Sequence, residues 1–88
     1  SSDLYQSIKR FDLAIDGLQD AFIKDKVIDI MNMFANHHNV NYTLNNNCAS
    51  VTCPPEIFTK LLQTIATRNI DILSASYRAK MLHKARIS

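Results

Sequence analysis

Residues 54–88 read PPEIFTKLLQTIATRNIDILSASYRAKMLHKARIS and carry the clearest helical pattern of the chain. Pro54 and Pro55 suit the first turn of a helix, where a missing N–H removes no intrahelical hydrogen bond. The apolar residues that follow recur at helical spacing, and Asn69 is a suitable left-handed stop. Asp71 is a suitable N-cap for another helix. The segment therefore predicts two consecutive helices against which the rest of the chain packs.

The first half of the chain shows two more apolar stripes at helical spacing. Gly17 lies within the first stripe and weakens a helix there by about 1 kcal/mol relative to alanine. The second stripe, within 23–34, is rotated from the first by about a third of a turn, which indicates a break or kink between two helices. The first stripe consists of Leu4, Ile8, Phe11, Ile15, Leu18 and Phe22.

The segment between the second and third predicted helices is rich in asparagine. Asparagine favours local side-chain to backbone hydrogen bonds over helix formation. Val40, Tyr42 and Leu44 alternate briefly with polar residues, so the interpretation is a long surface loop with room for a short extended piece. The single glycine and the two prolines, with only short strand-like runs, favour helices over a sandwich or barrel.

The predicted fold is therefore all-α: a small orthogonal bundle of about four helices in a single domain that covers 1–88. A long Asn-rich loop joins the second helix to the third. The predicted helices span about 3–20, 24–36, 54–68 and 71–86, and the loop spans 37–53.

Length and composition limit the class of protein. Eighty-eight residues give one small domain, and 47% hydrophobic with 20% charged residues is ordinary for a globular chain. Because no apolar run is long enough to span a bilayer and 1–3 does not begin a signal peptide, we expect an intracellular protein, cytoplasmic or nuclear. Two cysteines are too few for a disulfide scaffold, and whether Cys48 and Cys53 form a local bridge stays open.

No residue pattern indicates catalysis. His37, His38, Cys48 and Cys53 are the one cluster of soft ligands, but zinc sites use tighter ligand pairs, so no metal site is predicted. A cysteine nucleophile needs an imidazole and an oxyanion hole, and Cys53 precedes a proline with no third orienting group evident. The single glycine excludes a glycine-rich phosphate loop. We expect a non-enzymatic protein with no catalytic residue and no cofactor.

The charge distribution suggests a binding surface at the C-terminal end. A net charge of +2 is too small to make nucleic acid the default partner, but basic residues crowd the end of the chain beyond Asp71, the last acid. They either complement a helix dipole or form a basic docking surface. The predicted function is a protein–protein interaction module, an adaptor or scaffold within a larger assembly, that binds acidic amphipathic segments. The alternative is nucleic-acid binding by the same basic helix. The candidate partner-binding residues are Tyr77, Arg78, Lys80, Met81, Lys84 and Arg86.

Several segments carry a resemblance to a known family. Residues 26–31 (KVIDIM), Pro55-Glu56 before a helix, and 62–69 (LQTIATRN) are similar to a family of small bundles. This family includes the steroid receptor RNA activator protein and the C-terminal domain of the COPII outer-coat subunit. The resemblance implies a non-enzymatic helical module used in macromolecular assembly, and it transfers no catalytic residue. The chain departs from the family in its longer Asn-rich linker, a third helix about one turn short, and a missing closing helix.

Overall fold

The computed structural model describes residues 8–78, which form two helices and one four-stranded antiparallel sheet. The all-α prediction and the helical bundle are therefore wrong, and so is the fold that the family resemblance implies. In chain order the elements are β1 (Lys9–Ile15), α1 (Ala21–His37), β2 (Asn41–Leu44), β3 (Cys48–Cys53), α2 (Pro55–Thr67) and β4 (Ile72–Arg78).

Strand β1 occupies the place of the first predicted helix. Phe11, Leu13 and Ile15 are buried and alternate with more exposed residues, which is the period of a strand with one covered face. The helical stripe omitted Leu13, which is fully buried. Gly17, with φ +78°, lies in the turn from β1 to α1, where its missing side chain permits the left-handed backbone.

The predicted loop 37–53 contains two strands. In β3 the buried positions are Ala49, Val51 and Cys53, so small side chains provide much of this strand's inner face. A tight asparagine-rich connection joins β2 to β3, and the main-chain N–H of Asn45 donates to the main-chain carbonyl of Cys48 at 2.7 Å. The asparagines therefore form a hairpin turn between paired strands rather than a long free loop.

Helices α1 and α2 lie close to two of the predicted helices, 24–36 and 54–68. Pro54 is the N-cap of α2 and Pro55 its first helical residue, and α2 buries Phe58, Leu61 and Ile65 on one face. The buried residues of α1 are Val27, Ile30, Met31 and Phe34.

The last predicted helix is a strand as far as the structure describes it. Asn69 has φ 61°, so the left-handed stop forms, but Asp71 then leads into β4 instead of capping a helix. Antiparallel pairing with β1 runs along β4, and the register shifts by one residue between Ala14 and Ile15. This shift makes Leu73 the extra residue of a β-bulge. Long-range pairing thus overrides the weak local preference of this segment.

The strand order is β2-β3-β1-β4, with every neighbouring pair antiparallel. A βαββαβ chain with this strand order is the ferredoxin-like arrangement, in which two split βαβ units interleave. Both helices cover one face of the sheet and pack against each other. The core lies between the helices and that face, and no polar or charged residue within 8–78 is buried. Neither α1 nor α2 is long and apolar enough to cross a membrane.

Candidate protein-binding edge

Strand β4 lies at one edge of the sheet. Within residues 8–78 it pairs with β1 alone, so its outer side presents a row of backbone N–H and C=O groups to the surroundings. The opposite edge strand, β2, has only four residues, whereas β4 has seven. An edge strand of this length is a ready template for pairing with another extended chain.

The helix-side residues of β4 are apolar and uncovered. The register places Ala75 beside Leu13 and Tyr77 beside Phe11, on the face that carries the core. Phe11 and Leu13 are buried, but Ala75 is exposed and Tyr77 is 52% exposed. The helical layer therefore covers Ile72 in part, at the start of β4, but leaves Ala75 and Tyr77 exposed. We call the exposed apolar residues Leu73, Ala75 and Tyr77 the β4 stripe.

An aromatic row joins the β4 stripe to the core. The rings of Phe11 and Phe58 stack with centroids 3.9 Å apart, and the Phe11 and Tyr77 rings meet at 5.6 Å in a tilted contact. The Lys9 ammonium lies 6.0 Å from the centre of the Tyr77 ring. With Pro55, these residues line a shallow, mostly apolar depression of about 320 Å³. An apolar anchor at this edge thus has a basic group beside it, which suits an amphipathic partner.

Charge changes sign along β4. At its start, Asp71 and Asp16 are both exposed. Their backbones are hydrogen-bonded, since the Asp16 main-chain N–H donates to the Asp71 main-chain carbonyl at 3.0 Å. At its other end, Arg10 lies opposite Arg78 in the register, and Lys9 precedes Arg10. One end of the edge is therefore acidic and the other end is basic.

Only part of the predicted binding surface falls on described residues. Tyr77 and Arg78 belong to β4, so they lie on a strand and not on the predicted basic helix. The other four predicted partner-binding residues lie outside the described residues: Lys80, Met81, Lys84 and Arg86. The sequence interpretation missed Leu73, which is 65% exposed, together with Lys9 and Phe11. The sequence signal for Lys9 and Phe11 was the alternation of β1, which helical spacing obscured.

The outer face of the sheet is polar. Ser50 donates its hydroxyl to the Asp12 carboxylate at 2.9 Å, and Arg10 lies 3.8 Å from the same carboxylate. A shallow depression of about 220 Å³ lies on this side, beside hydroxyl and amide groups of β2 and β3. Four-stranded sheets that bind RNA stack bases on aromatic side chains of this outer face. Here the outward residues of β1 and β3 are Arg10, Asp12, Ala14, Cys48, Ser50 and Thr52.

The two cysteines point to opposite sides of β3. Cys53 is fully buried, whereas Cys48 is partly exposed, and both are free thiols. Five residues of extended strand separate them by about 16 Å, which is beyond disulfide reach. Burial raises the pKa of the Cys53 thiol to about 11. Because the thiolate is the nucleophile, this shift makes Cys53 unreactive at neutral pH and fits a packing role.

Within residues 8–78, the histidines and cysteines do not form a metal centre. His37 ends α1 and His38 contacts the Phe34 ring, with centroids 5.5 Å apart. Among residues 8–78, no three histidine, cysteine or acidic side chains converge in a way that could hold an ion.

Comparison with known proteins gives no information about function, so the fold and the exposed edge of β4 are the basis for a functional proposal. The sequence matches no protein-family model, and no significantly similar curated protein or solved structure was found. A ferredoxin-like arrangement hosts many unrelated functions, so the fold alone assigns none.

Proposed function

We propose that this chain is a non-enzymatic protein–protein interaction module that binds an extended segment of a partner along the outer edge of β4. The observation that carries the proposal is the combination of a seven-residue edge, unpaired on its outer side within residues 8–78, with an exposed apolar stripe. Main-chain hydrogen bonds along such an edge supply affinity, and contacts with alternate side chains supply specificity. An intracellular site, cytoplasmic or nuclear, belongs to the proposal because free thiols persist in a reducing compartment.

The side chains along the edge define the kind of segment that fits. Leu73 and Tyr77 favour apolar side chains at alternate positions of the incoming strand, since these would lie on the same face of the extended sheet. Lys9, beside the Tyr77 ring, favours an acidic residue near that end. An extended segment with apolar residues at alternate positions and an acidic residue at the Lys9 end meets both requirements. The docking surface is then a strand edge in place of the basic helix that the sequence predicted, and the partner remains an acidic amphipathic segment.

A labelled peptide tests this proposal directly. A peptide with valine or leucine at alternate positions, and glutamate at the end that meets Lys9, should bind with a rise in fluorescence anisotropy and should slow amide exchange in β4. The matched peptide with lysine in place of that glutamate should bind at least about tenfold more weakly, because Lys9 then meets like charge. Slowed exchange in β2 rather than β4 would contradict the assignment of the edge.

A pair of substitutions distinguishes specific binding at the β4 edge from nonspecific adhesion to exposed apolar groups. Leu73 and Phe22 are equally exposed, at 65% each, but Phe22 lies at the start of α1. Leu73→Ser should weaken peptide binding by about tenfold, the loss expected for one apolar side chain that becomes covered. Phe22→Ser should leave the affinity unchanged. Equal losses from both variants would show that the peptide adheres to any exposed apolar group.

The nucleic-acid alternative makes a different prediction about salt. The outer face of β1 and β3 offers no aromatic platform for bases, so binding would depend on phosphate contacts with basic residues. Such binding weakens steeply as salt rises, whereas an apolar strand interface weakens only slightly. A salt titration with single-stranded and duplex oligonucleotides, beside the same titration with the peptide, decides between the two.

A further inference from the structure

The outer edge of β4 is self-complementary, and we infer that it pairs antiparallel with β4 of a second copy of the chain. A two-fold axis at Ala75 would join the two four-stranded sheets into one sheet of eight strands. The inference rests on the proposed function, because it uses the same edge and names the occupant. A homodimer interface of this kind requires that one surface match itself under the two-fold rotation.

The apolar residues of the edge satisfy this requirement. Leu73 and Tyr77 lie two residues before and two residues after Ala75. Ala75 and Tyr77 lie on the helix side, and Leu73 is the exposed extra residue of the bulge. Antiparallel pairing about Ala75 places Leu73 of each copy directly opposite Tyr77 of the other. Side chains directly opposite in a pair have Cβ atoms about 5 Å apart and are in contact. The two large exposed apolar residues of the edge therefore occupy opposite positions, and this arrangement occurs twice.

The charges of the edge satisfy it as well. Since Arg10 lies opposite Arg78, and Arg78 would lie opposite Ile72 of the second copy, Lys9 comes level with Asp71 of that copy. The two residues are separated by two strand spacings, about 10 Å, which is close to the Debye length at physiological salt. The acidic end of each edge thus meets the basic end of the other. Parallel pairing would instead bring acid beside acid.

The centre of β4 is free of the usual barriers to edge pairing. Natural edges are protected by charged residues, prolines or short length. Residues 72–77 contain no charge and no proline, and the central Ser74, Ala75 and Ser76 are small. The one protective feature is the bulge at Leu73, which lies toward the start of the strand and leaves Ser74 to Arg78 in regular pairing with β1. The second copy therefore meets a flat central edge.

A charge exchange at Ala75 tests the inference. Ala75 is exposed, so Ala75→Lys and Ala75→Glu each leave the core intact. In the dimer two like charges would face each other across the axis, which opposes pairing, whereas an equimolar mixture of the two variants brings opposite charges together. Thr43→Lys, on the exposed side of β2, is the matched control. The measurement is light scattering after gel filtration, from micromolar to millimolar protein.

Wild type and Thr43→Lys should change from the 10.0 kDa chain mass to twice that mass as concentration rises. Each Ala75 variant alone should dimerise at least about tenfold more weakly, and the mixture should recover wild-type dimerisation. A wild type that stays at the chain mass at millimolar concentration overturns the inference, as do Ala75 variants that dimerise like wild type or a mixture that does not recover. If the wild type is monomeric but the acidic peptide still protects β4, the inference fails and the proposed function stands. If neither partner binds, both fail.

Discussion

Alanine substitutions at Leu13 and Ile8 distinguish the strand in the structure from the helix that periodicity predicts. The two assignments predict opposite rankings of the loss in free energy of unfolding. Ile8 belongs to the helical stripe and Leu13 does not. The structure reverses their importance, since Leu13 is 0% exposed and Ile8 is 43% exposed. Leu13→Ala should therefore cost far more free energy of unfolding than Ile8→Ala.

The neighbours of Leu13 set the size of the loss. Leu13 lies in the middle of β1, between Ala49 on β3 and Ala75 on β4. These alanines are too short to fill the space that a shortened side chain would leave beneath the helices. Buried Leu→Ala changes cost about 2–5 kcal/mol, and the cost rises with the volume of the remaining cavity. We expect about 3–4 kcal/mol for Leu13→Ala and under about 1 kcal/mol for Ile8→Ala.

Urea unfolding followed by far-ultraviolet circular dichroism measures both losses. With a slope of about 1 kcal/mol per molar urea for a small domain, Leu13→Ala should lower the midpoint by roughly 3 M. Since small domains have stabilities of about 5–10 kcal/mol, Leu13→Met, expected to lose less than about 1.5 kcal/mol, provides a variant that remains folded. Equal losses at the two positions, or a larger loss at Ile8, would refute the strand assignment of β1.

Two further predictions concern Cys53 and Gly17. Because burial raises the pKa of Cys53 to about 11 from an ordinary 9.0, the folded state holds the thiol proton more tightly than the unfolded state. The free energy of unfolding is therefore unaffected below pH 9 and falls by about 2–3 kcal/mol as pH rises to 11, relative to Cys53→Ala measured in parallel. A thiol reagent at neutral pH should modify Cys48 quickly and Cys53 only on unfolding. Two thiols that react equally fast would contradict the burial of Cys53. Gly17→Ala should cost about 1–2 kcal/mol because φ is +78°, while an added Cβ meets Ile23 at a tolerable 3.4 Å. Gly17→Asn should recover part of that loss in thermal unfolding, and an Ala variant as stable as wild type would show that the turn is not left-handed.

The sequence supports two incompatible interpretations of the first strand. Phe11 and Ile15 are four apart and fit a helix face, yet Phe11, Leu13 and Ile15 fit a strand equally well. Pairing with β3 and β4 on both sides selects the strand, and such long-range contacts are invisible in local spacing. The local signals that depend only on backbone preference were more reliable. Asn69 adopts the expected left-handed conformation, and Pro55 begins α2.

Strands β3 and β4 lacked a strong apolar signal for different reasons. The inner face of β3 includes Ala49 and Cys53, whose small side chains give a weak alternation even though both are fully buried. Leu73, Ala75 and Tyr77 of β4 are exposed and Ile72 is only partly buried, so this strand shows little contrast between a buried and a solvated face. The predicted binding surface includes Tyr77, which lies on a strand and not on the predicted helix. That Tyr77 contributes to binding remains a prediction.

The helical layer is displaced toward β2. This displacement, and not the strand order, leaves β4 exposed for its proposed role. Tyr42 and Leu44 on the opposite edge strand are partly buried, and Tyr42 donates its hydroxyl to Asn32 of α1 at 2.8 Å. The helices therefore cover the side of β2 at the expense of β4. Half of a tyrosine side chain is roughly 100 Å² of surface, worth about 2.5 kcal/mol when it becomes covered. This free energy is large beside the total stability of about 5–10 kcal/mol that a small domain has. A partner strand that covers Tyr77 recovers it, and in the two-fold pair it is recovered twice.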